Sequence, residues 1–274
     1  MSGTLYIVAT PIGNLEDLSF RALNTLKSVG LIAAEDTRVT KKILSHFNFS
    51  TPIISFNENN SLKRTPKIIK TLSEKNVALV SDAGTPLISD PGRVLVQAVK
   101  DSGFNVSPIP GPSSVTASIS VAAIKSPAFI FVGFLPRNAK ARVGFFDSVK
   151  EKKEAVVFFE SPHRLISTLQ IISEASPEAS LTICRELTKF HEEIWQGRPY
   201  DALEHFKKPI GEFVLIFEPT PQDLNKKEPS ADELVAHLSE LKAVGLSRNE
   251  ASVILAKQLN MPKREIYKHW QKEN

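Results

Sequence analysis

The chain has 274 residues, 42% hydrophobic and 23% charged, with a formal net charge of +4 and a pI near 9.0. That length exceeds one average domain and predicts two domains plus an appendage, with cores of soluble globular type. No run approaches the roughly 18 apolar residues of a membrane span, and the single cysteine, Cys184, rules out an intrachain disulfide or a cysteine metal cluster.

In chain order, residues 4–9 (TLYIVA) read as a strand followed by the turn-rich loop 10–15, and residues 19–29 as a helix with Phe20, Leu23, Leu26 and Lys27 at helical spacing. Residues 31–34 form a second strand running into Glu35-Asp36-Thr37-Arg38, and a helix is expected over 39–47. A third strand (52–56), a helix (62–72) and a strand (77–81) follow. The strand at 77–81 opens the long loop SDAGTPLISDPG, in which Asp90 reads as a helix cap and Pro91 as the first helical residue. A helix core over 94–99, a strand over 106–109 and a helix opened by Gly111-Pro-Ser-Ser complete this half. Strands alternating with helices predict a mostly parallel sheet. Open sheets of this kind bind ligands at the carboxyl ends of their strands. Neither a G-x-G-x-x-G fingerprint nor a P-loop is present.

Past residue 124 the texture changes. A strand over 129–134, a basic loop over 136–142, a short helix near 143–149, and strands over 155–159 and 181–184 predict an α+β domain with a mainly antiparallel sheet. Ser161-Pro162 marks a helix start. Ile194, Tyr200 and residues 213–217 suggest further strands or their flanks. The reading is therefore an α/β chain: an N-terminal domain over 1–124, a second over 125–219, a proline-bearing linker over 220–229, and a helical module over 230–274. In that module Ser230/Glu233 and Ser247/Glu250 are capping-box patterns. Its three short helices, broken at Gly245 and Asn260, resemble a helix-turn-helix, which reads nucleic acid or merely packs. The start of the chain lacks a secretory pattern, so the cytoplasm is expected. The basic balance is compatible with a polyanionic partner without requiring one.

Eight stretches carry a resemblance: LYIVATPIGNLEDLSFRAL (5–23), IAAEDTR (32–38), ALVSDAGTPLISDPG (78–92), PIPGPSSVTA (108–117), GFLPR (133–137), FFESPHRL (158–165), RELTK (185–189) and GEFVLIFE (211–218). In this order they resemble the tetrapyrrole methylase superfamily, and more closely its branch of cytidine 2′-O-methyltransferases acting on small-subunit ribosomal RNA. The resemblance implies the two-domain tetrapyrrole methylase fold, with S-adenosyl-L-methionine in the cleft between domains and S-adenosyl-L-homocysteine as product. It also implies a homodimer and, as partner, small-subunit ribosomal RNA or the 30S subunit. Members that methylate macrocycles carry Gly-Gly-Asp-Pro where this chain has Ala83-Gly84-Thr85-Pro86, so a carboxylate contact at position 85 is missing. Pro11, Ala83, Gly84, Thr85, Ile88, Ser113 and Ser114 are the expected cofactor residues. Glu160 and the strand 211–216 are expected from the far wall.

Methyl transfer is an in-line displacement governed by positioning, and a weakly acidic 2′-hydroxyl is helped by a proton acceptor. Glu35, Asp36 and Glu160 are the expected acceptor-side carboxylates, with Asp82 as second choice and Glu186 a further strand-end acid. Each is also a candidate helix cap or ion-pair partner. Arg38, Arg164 and Arg185, near these acids in sequence, suit RNA phosphates or neutralise the acids. His163 is a candidate RNA contact, and also a candidate base or a helix-start residue. Arg137, Lys140 and Arg142, with Lys150, Lys152 and Lys153 nearby, are the expected backbone contacts, whose binding would weaken steeply with salt. No His, Asp or Glu spacing demands a metal. A methylase of a corrin or porphyrin ring, and a non-catalytic RNA-binding assembly factor working through the helical tail, remain alternatives.

Overall fold

Short runs rich in Val, Ile, Leu and Ala build the first sheet. Its strands are β1 (Thr4–Val8), β2 (Leu31–Ala34), β3 (Ile53–Ser55), β4 (Val77–Val80) and β5 (Asn105–Ile109), in the order β3-β2-β4-β1-β5. Every pairing is parallel. β2 and β4 are buried at all four positions, as strands covered on both faces must be. Alternate side chains feed two cores. One packs Val8, Ile32, Ala34 and Val80 against Ala22 and Leu26 of α1 (Phe20–Ser28) and Ile43 of α2 (Thr37–His46). The other packs Leu5, Ala33, Val77 and Leu79 against Ile68 of α3 (Ser61–Leu72) and Leu95 of α4 (Arg93–Asp101).

The computed structural model describes residues 3–220, 231–259 and 261–270. These belong to two compact units divided after Thr220. Within the first unit a second sheet follows: β6 (Phe129–Phe134), β7 (Ala155–Glu160), β8 (Ser180–Arg185), β9 (Glu193–Gly197) and β10 (Phe213–Glu218), ordered β6-β7-β10-β8-β9. Only β6–β7 is parallel, so the sheet is mainly antiparallel. On one face α6 (Ala139–Val149) and α7 (Pro162–Ala175) bury Phe146, Leu165 and Leu169 against Phe158 and Phe217. On the other, Val157, Cys184, Val214 and Ile216 receive Val115 and Ala122, from α5 (Ser114–Val121) and its C-cap. Helix α5, which follows the first sheet's last strand in the chain, is thus held on the second sheet by apolar burial, the non-directional force that dominates folding.

Three local expectations need correction. Tyr200 lies in a helix, α8 (Pro199–His205), started by Pro199 at its first turn. Helix α6 begins at Ala139, capped by the Asn138 side chain, which accepts from the Ala141 N–H at 3.1 Å; the basic stretch is therefore partly helical. Helix α4 begins at Arg93 with Gly92 as N-cap, two residues later than the Asp90-Pro91 signal suggested. Gly92 sits at φ +141°, and a Cβ there would stand 2.9 Å from Leu79 Cδ2, so only glycine turns the chain at this point.

The second unit holds α9 (Ala231–Ala243), α10 (Arg248–Leu259) and α11 (Lys263–Trp270) around Leu234, Leu238, Ala251, Leu255 and Ile266. The Ser247/Glu250 box forms: Ser247 N–H donates to Glu250 Oε2 at 2.9 Å and Glu250 N–H to Ser247 Oγ at 3.4 Å. Ser230, Asn260 and the linker beyond Thr220 lie outside the described residues.

Candidate active site

The carboxyl ends of β1, β2 and β4 open into loops 10–17, 35–38 and 81–92, as parallel strands require. The longest, 81–92, is braced from both sides. Thr10 and Gly84 exchange two backbone hydrogen bonds at 2.9 and 3.0 Å, and Thr85 Oγ1 donates to the Pro112 carbonyl at 3.2 Å. So held, the loop keeps Leu87 at φ 73° and Ser89 at φ 69°, a left-handed conformation that β-carbon-bearing residues adopt at a cost of about 1–2 kcal/mol each.

Across from this loop stand the ends of β7, β8 and β10, and between them lies a cleft of about 410 Å³, within the size range of small-molecule sites. Ala83, Gly84, Thr85, Ile88, Ser113 and Ser114 line it from the first sheet's side, as do three acids, Glu35, Asp82 and Asp90. The opposite wall is mixed: Phe134, Phe159, Cys184, Leu187 and Val214 give it an apolar face, and Glu160, Ser161 and Glu212 line it beside them. Ser113 is the N-cap of α5, yet its side chain makes no capping bond. Pro11 is buried and the neighbouring Ile12 faces the cleft instead.

The acids differ in state, and their surroundings say why. Glu35 and Asp82 follow the paired strands β2 and β4, which places them side by side: Asp82 N–H donates to Glu35 Oε2 at 3.3 Å, and Asp36 N–H to Asp82 Oδ1 at 2.9 Å. Burial raises the pKa of Glu35, and Asp90, Asp82 and Glu58 repel its charge. Burial likewise raises Asp82 and Asp90; the Ser81 hydroxyl partly offsets this at Asp90. Raised carboxyl pKa values from partial burial among like charges mark functional clefts more often than ordinary surface.

Asp36 is the opposite case and a correction to the sequence expectation. It caps α2 by accepting from Arg38 N–H at 2.8 Å and meets the Arg38 guanidinium at 2.5 Å. The hydrogen bonds from Arg38 hold its pKa down at about 2, so it is a poor proton acceptor. Glu160 lines the cleft from the far wall, and its carboxylate also anchors its own neighbours. Its side chain is fully buried and both oxygens are committed: Oε1 accepts from Ser161 N–H at 2.8 Å and faces the Arg164 guanidinium at 2.6 Å, and Oε2 accepts from Thr168 Oγ1 at 2.7 Å. Three of its roughly four lone-pair positions are so occupied, which ties the carboxylate to α7 and leaves it less open to a substrate proton than Glu35 or Asp82.

The basic candidates divide in the same way. Arg137, Lys140 and His163 are exposed, and Arg38 projects outward with 87% of its side chain accessible despite its pair with Asp36. Arg142 is only 4% accessible and spends its guanidinium on the Pro136 and Arg137 carbonyls and on Ser167 Oγ, so it is not an RNA contact. Arg164 bonds Glu160 and the Leu135 carbonyl, and Arg185 bonds Ile210 and Glu193, so both are engaged internally. Glu186 is held in its ionised form by Lys189 at 2.9 Å. Sequence reasoning missed Asp90, which it read as a cap, and the aromatic wall of Phe134 and Phe159, whose strands read only as core. Among the described residues no group of three or more His, Cys, Asp or Glu is disposed around a common metal position.

The profile described as Tetrapyrrole (Corrin/Porphyrin) Methylases matches residues 4–203. The chain belongs to the tetrapyrrole methylase family. Within it the chain groups with proteins named ribosomal RNA small subunit methyltransferase I. The Synechocystis sp. member is 42% identical over 270 residues, 97% of this chain and 96% of its own length. That of Halalkalibacterium halodurans is 41% identical over 276 residues, 99% and 96%. That of Thermotoga maritima is 48% identical over 217 residues, 78% of this chain and 97% of its own length. Among solved methylase structures, uroporphyrin-III C-methyltransferase from Thermus thermophilus complexed with S-adenosyl homocysteine aligns at a TM-score of 0.57 with 15% identity, covering 79% of this chain and 97% of that one. A diphthine synthase aligns at 0.63 with 13% identity, covering 80% and 91%. These establish the tetrapyrrole methylase fold for this chain.

Proposed function

We propose that the cleft binds S-adenosyl-L-methionine and that the chain methylates small-subunit ribosomal RNA, at the 2′-hydroxyl of a cytidine in the decoding region. The observation that carries the reading is full-length identity near 40% to proteins named for that RNA, combined with a cleft whose chemistry fits the cofactor. Three acids around one side suit its sulfonium and ammonium charges. The uncommitted Ser113 hydroxyl at the start of α5 suits its carboxylate. The apolar wall of Phe159 and Val214 suits the adenine face.

When bound, the cofactor supplies an electrophilic methyl group, so the chain's task is orientation. Ala83, Gly84, Thr85, Ile88, Ser113 and Ser114 form the cofactor-facing surface. Glu35 and Asp82 are the best-placed acceptors for the ribose proton, because each keeps an open side toward the cleft and has a raised pKa. Arg137, Lys140, His163 and Arg38 form the RNA-facing set. A homodimer in solution follows from the family resemblance; Phe20, Leu62 and Phe190 are among the strongly exposed apolar side chains that a second copy can cover. Site of action in the cytoplasm fits a ribosomal substrate; among the described residues no helix is long and apolar enough to cross a membrane.

Calorimetric titration with S-adenosylmethionine tests the reading. Saturable binding weakened at least tenfold by Asp82→Asn is the expected result. Equal affinity for S-adenosylmethionine and for an uncharged thioether analogue in the wild type would contradict the role given to the acids.

A further inference from the structure

The corner between β6 and α6 is built around two guanidiniums. Three successive carbonyls, of Leu135, Pro136 and Arg137, turn inward and accept from two arginines, the half-buried Arg164 and the buried Arg142: Leu135 from Arg164 Nη1 at 3.1 Å, Pro136 and Arg137 from Arg142 Nη1 at 3.2 and 2.9 Å. Arg142 Nη2 donates to Ser167 Oγ at 2.9 Å, and that hydroxyl donates to the Arg164 carbonyl at 3.0 Å. Arg164 in turn is pinned by Glu160 at 2.6 Å. The chain of bonds therefore runs from the corner, through α7, to the end of β7.

Arg142 is an unusual use of a charge. It is buried, its Nε has no partner, and among the described residues no carboxylate lies within ion-pair distance of it. A buried cation balanced only by carbonyl dipoles and a hydroxyl costs desolvation energy that an apolar side chain would not. What it gives in return is geometry, since a planar fork reaches three acceptors at fixed angles. The corner it fixes has two outputs. Phe134, 58% accessible, lines the cleft and meets Phe159 edge-on with centroids 5.4 Å apart. Arg137 and Lys140, on and just past the corner, are exposed. The corner also abuts the first sheet's long loop, because a Cβ on Gly133, at φ 70°, would come within 2.9 Å of Ser89 Oγ.

We propose that Arg142 and Arg164 are positioning residues that hold the 134–138 corner by its carbonyls. In this arrangement Phe134 is set against the cofactor and Arg137 with Lys140 against RNA phosphates. This rests on the function proposed above, and it adds that two of the basic residues expected to contact RNA act through the backbone instead.

The test is a double-mutant cycle between Arg142→Met and Arg137→Ala in the full chain, reading affinity for a small-subunit RNA fragment against salt. Hydrogen exchange of residues 134–142 is measured in parallel. Arg137→Ala alone should weaken binding by several-fold and lower the salt slope by about one. In the Arg142→Met background it should have little further effect, and exchange should rise at least tenfold at the corner while the parallel sheet stays protected. Ser167→Ala, which removes one acceptor only, should give a smaller change in the same direction if Arg142→Met does not fold. Fully additive effects, or unchanged exchange at the corner, would overturn the proposal. Failure of the wild type to bind RNA would overturn the functional reading and the corner's RNA-facing role with it. The exchange data would still decide whether the arginines hold the corner.

Discussion

Glu35 shows how one residue's surroundings fix its chemistry. Its pKa is raised in the folded chain by burial, so folding favours the protonated form. Stability from this group is present below the ordinary carboxylate range and is lost as pH rises through the folded value. Glu35→Gln removes that loss. The variant should melt roughly 1–3 °C higher than wild type at pH 7 and at the same temperature near pH 4, by calorimetry. A cationic cofactor favours the ionised acids, so its binding at mildly acidic pH should release protons, measurable as a dependence of binding heat on buffer ionisation enthalpy. Glu160 matters through its partners. Its removal as Glu160→Ala would strand the Arg164 guanidinium, which is expected to cost about 3 kcal/mol. Chemical denaturation checks this, and a loss under 1 kcal/mol would show that Arg164 finds another partner.

The loop 81–92 is the element whose geometry least resembles its sequence signal. Gly92→Ala should destabilise the chain by more than about 1 kcal/mol, because φ +141° is closed to alanine and Leu79 occupies the space. Strand positions were legible because an apolar run such as Val77–Val80 or Phe213–Phe217 must be covered on both faces. Loop ends were legible only as far as local rules govern them. Asp90 and Pro91 fit a helix start by residue type, yet the helix begins two residues later, in a loop held by Thr10, which is far off in sequence, through its exchange with Gly84. The same limit hid the state of the acids and arginines. Asp36, Glu160, Arg142, Arg164 and Arg185 are strand-end or basic-stretch residues like Glu35 and Arg137, and only three-dimensional partners separate those that are spent from those that are free. The family motifs located the cleft; they did not say which member of each motif faces it.

At the scale of the molecule, every lining residue of the cleft lies within the first compact unit. The Thermotoga maritima relative matches over 217 residues that make up 97% of its own length, so that relative is nearly complete without a counterpart to the whole of this chain. Deleting residues 222–274 should therefore leave S-adenosylmethionine affinity within about twofold of the full chain, by calorimetry. Loss of binding would mean that the helical module completes the cleft.

The most direct measurement is transfer of labelled methyl from S-adenosylmethionine to small ribosomal subunits that lack their own modification, followed by mass-spectrometric mapping of the label. The account predicts one label per subunit, on the ribose of a cytidine in the decoding region, abolished or reduced at least a hundredfold by Glu35→Gln with Asp82→Asn. Label on a base, on a protein, or on no RNA despite saturable cofactor binding would contradict it.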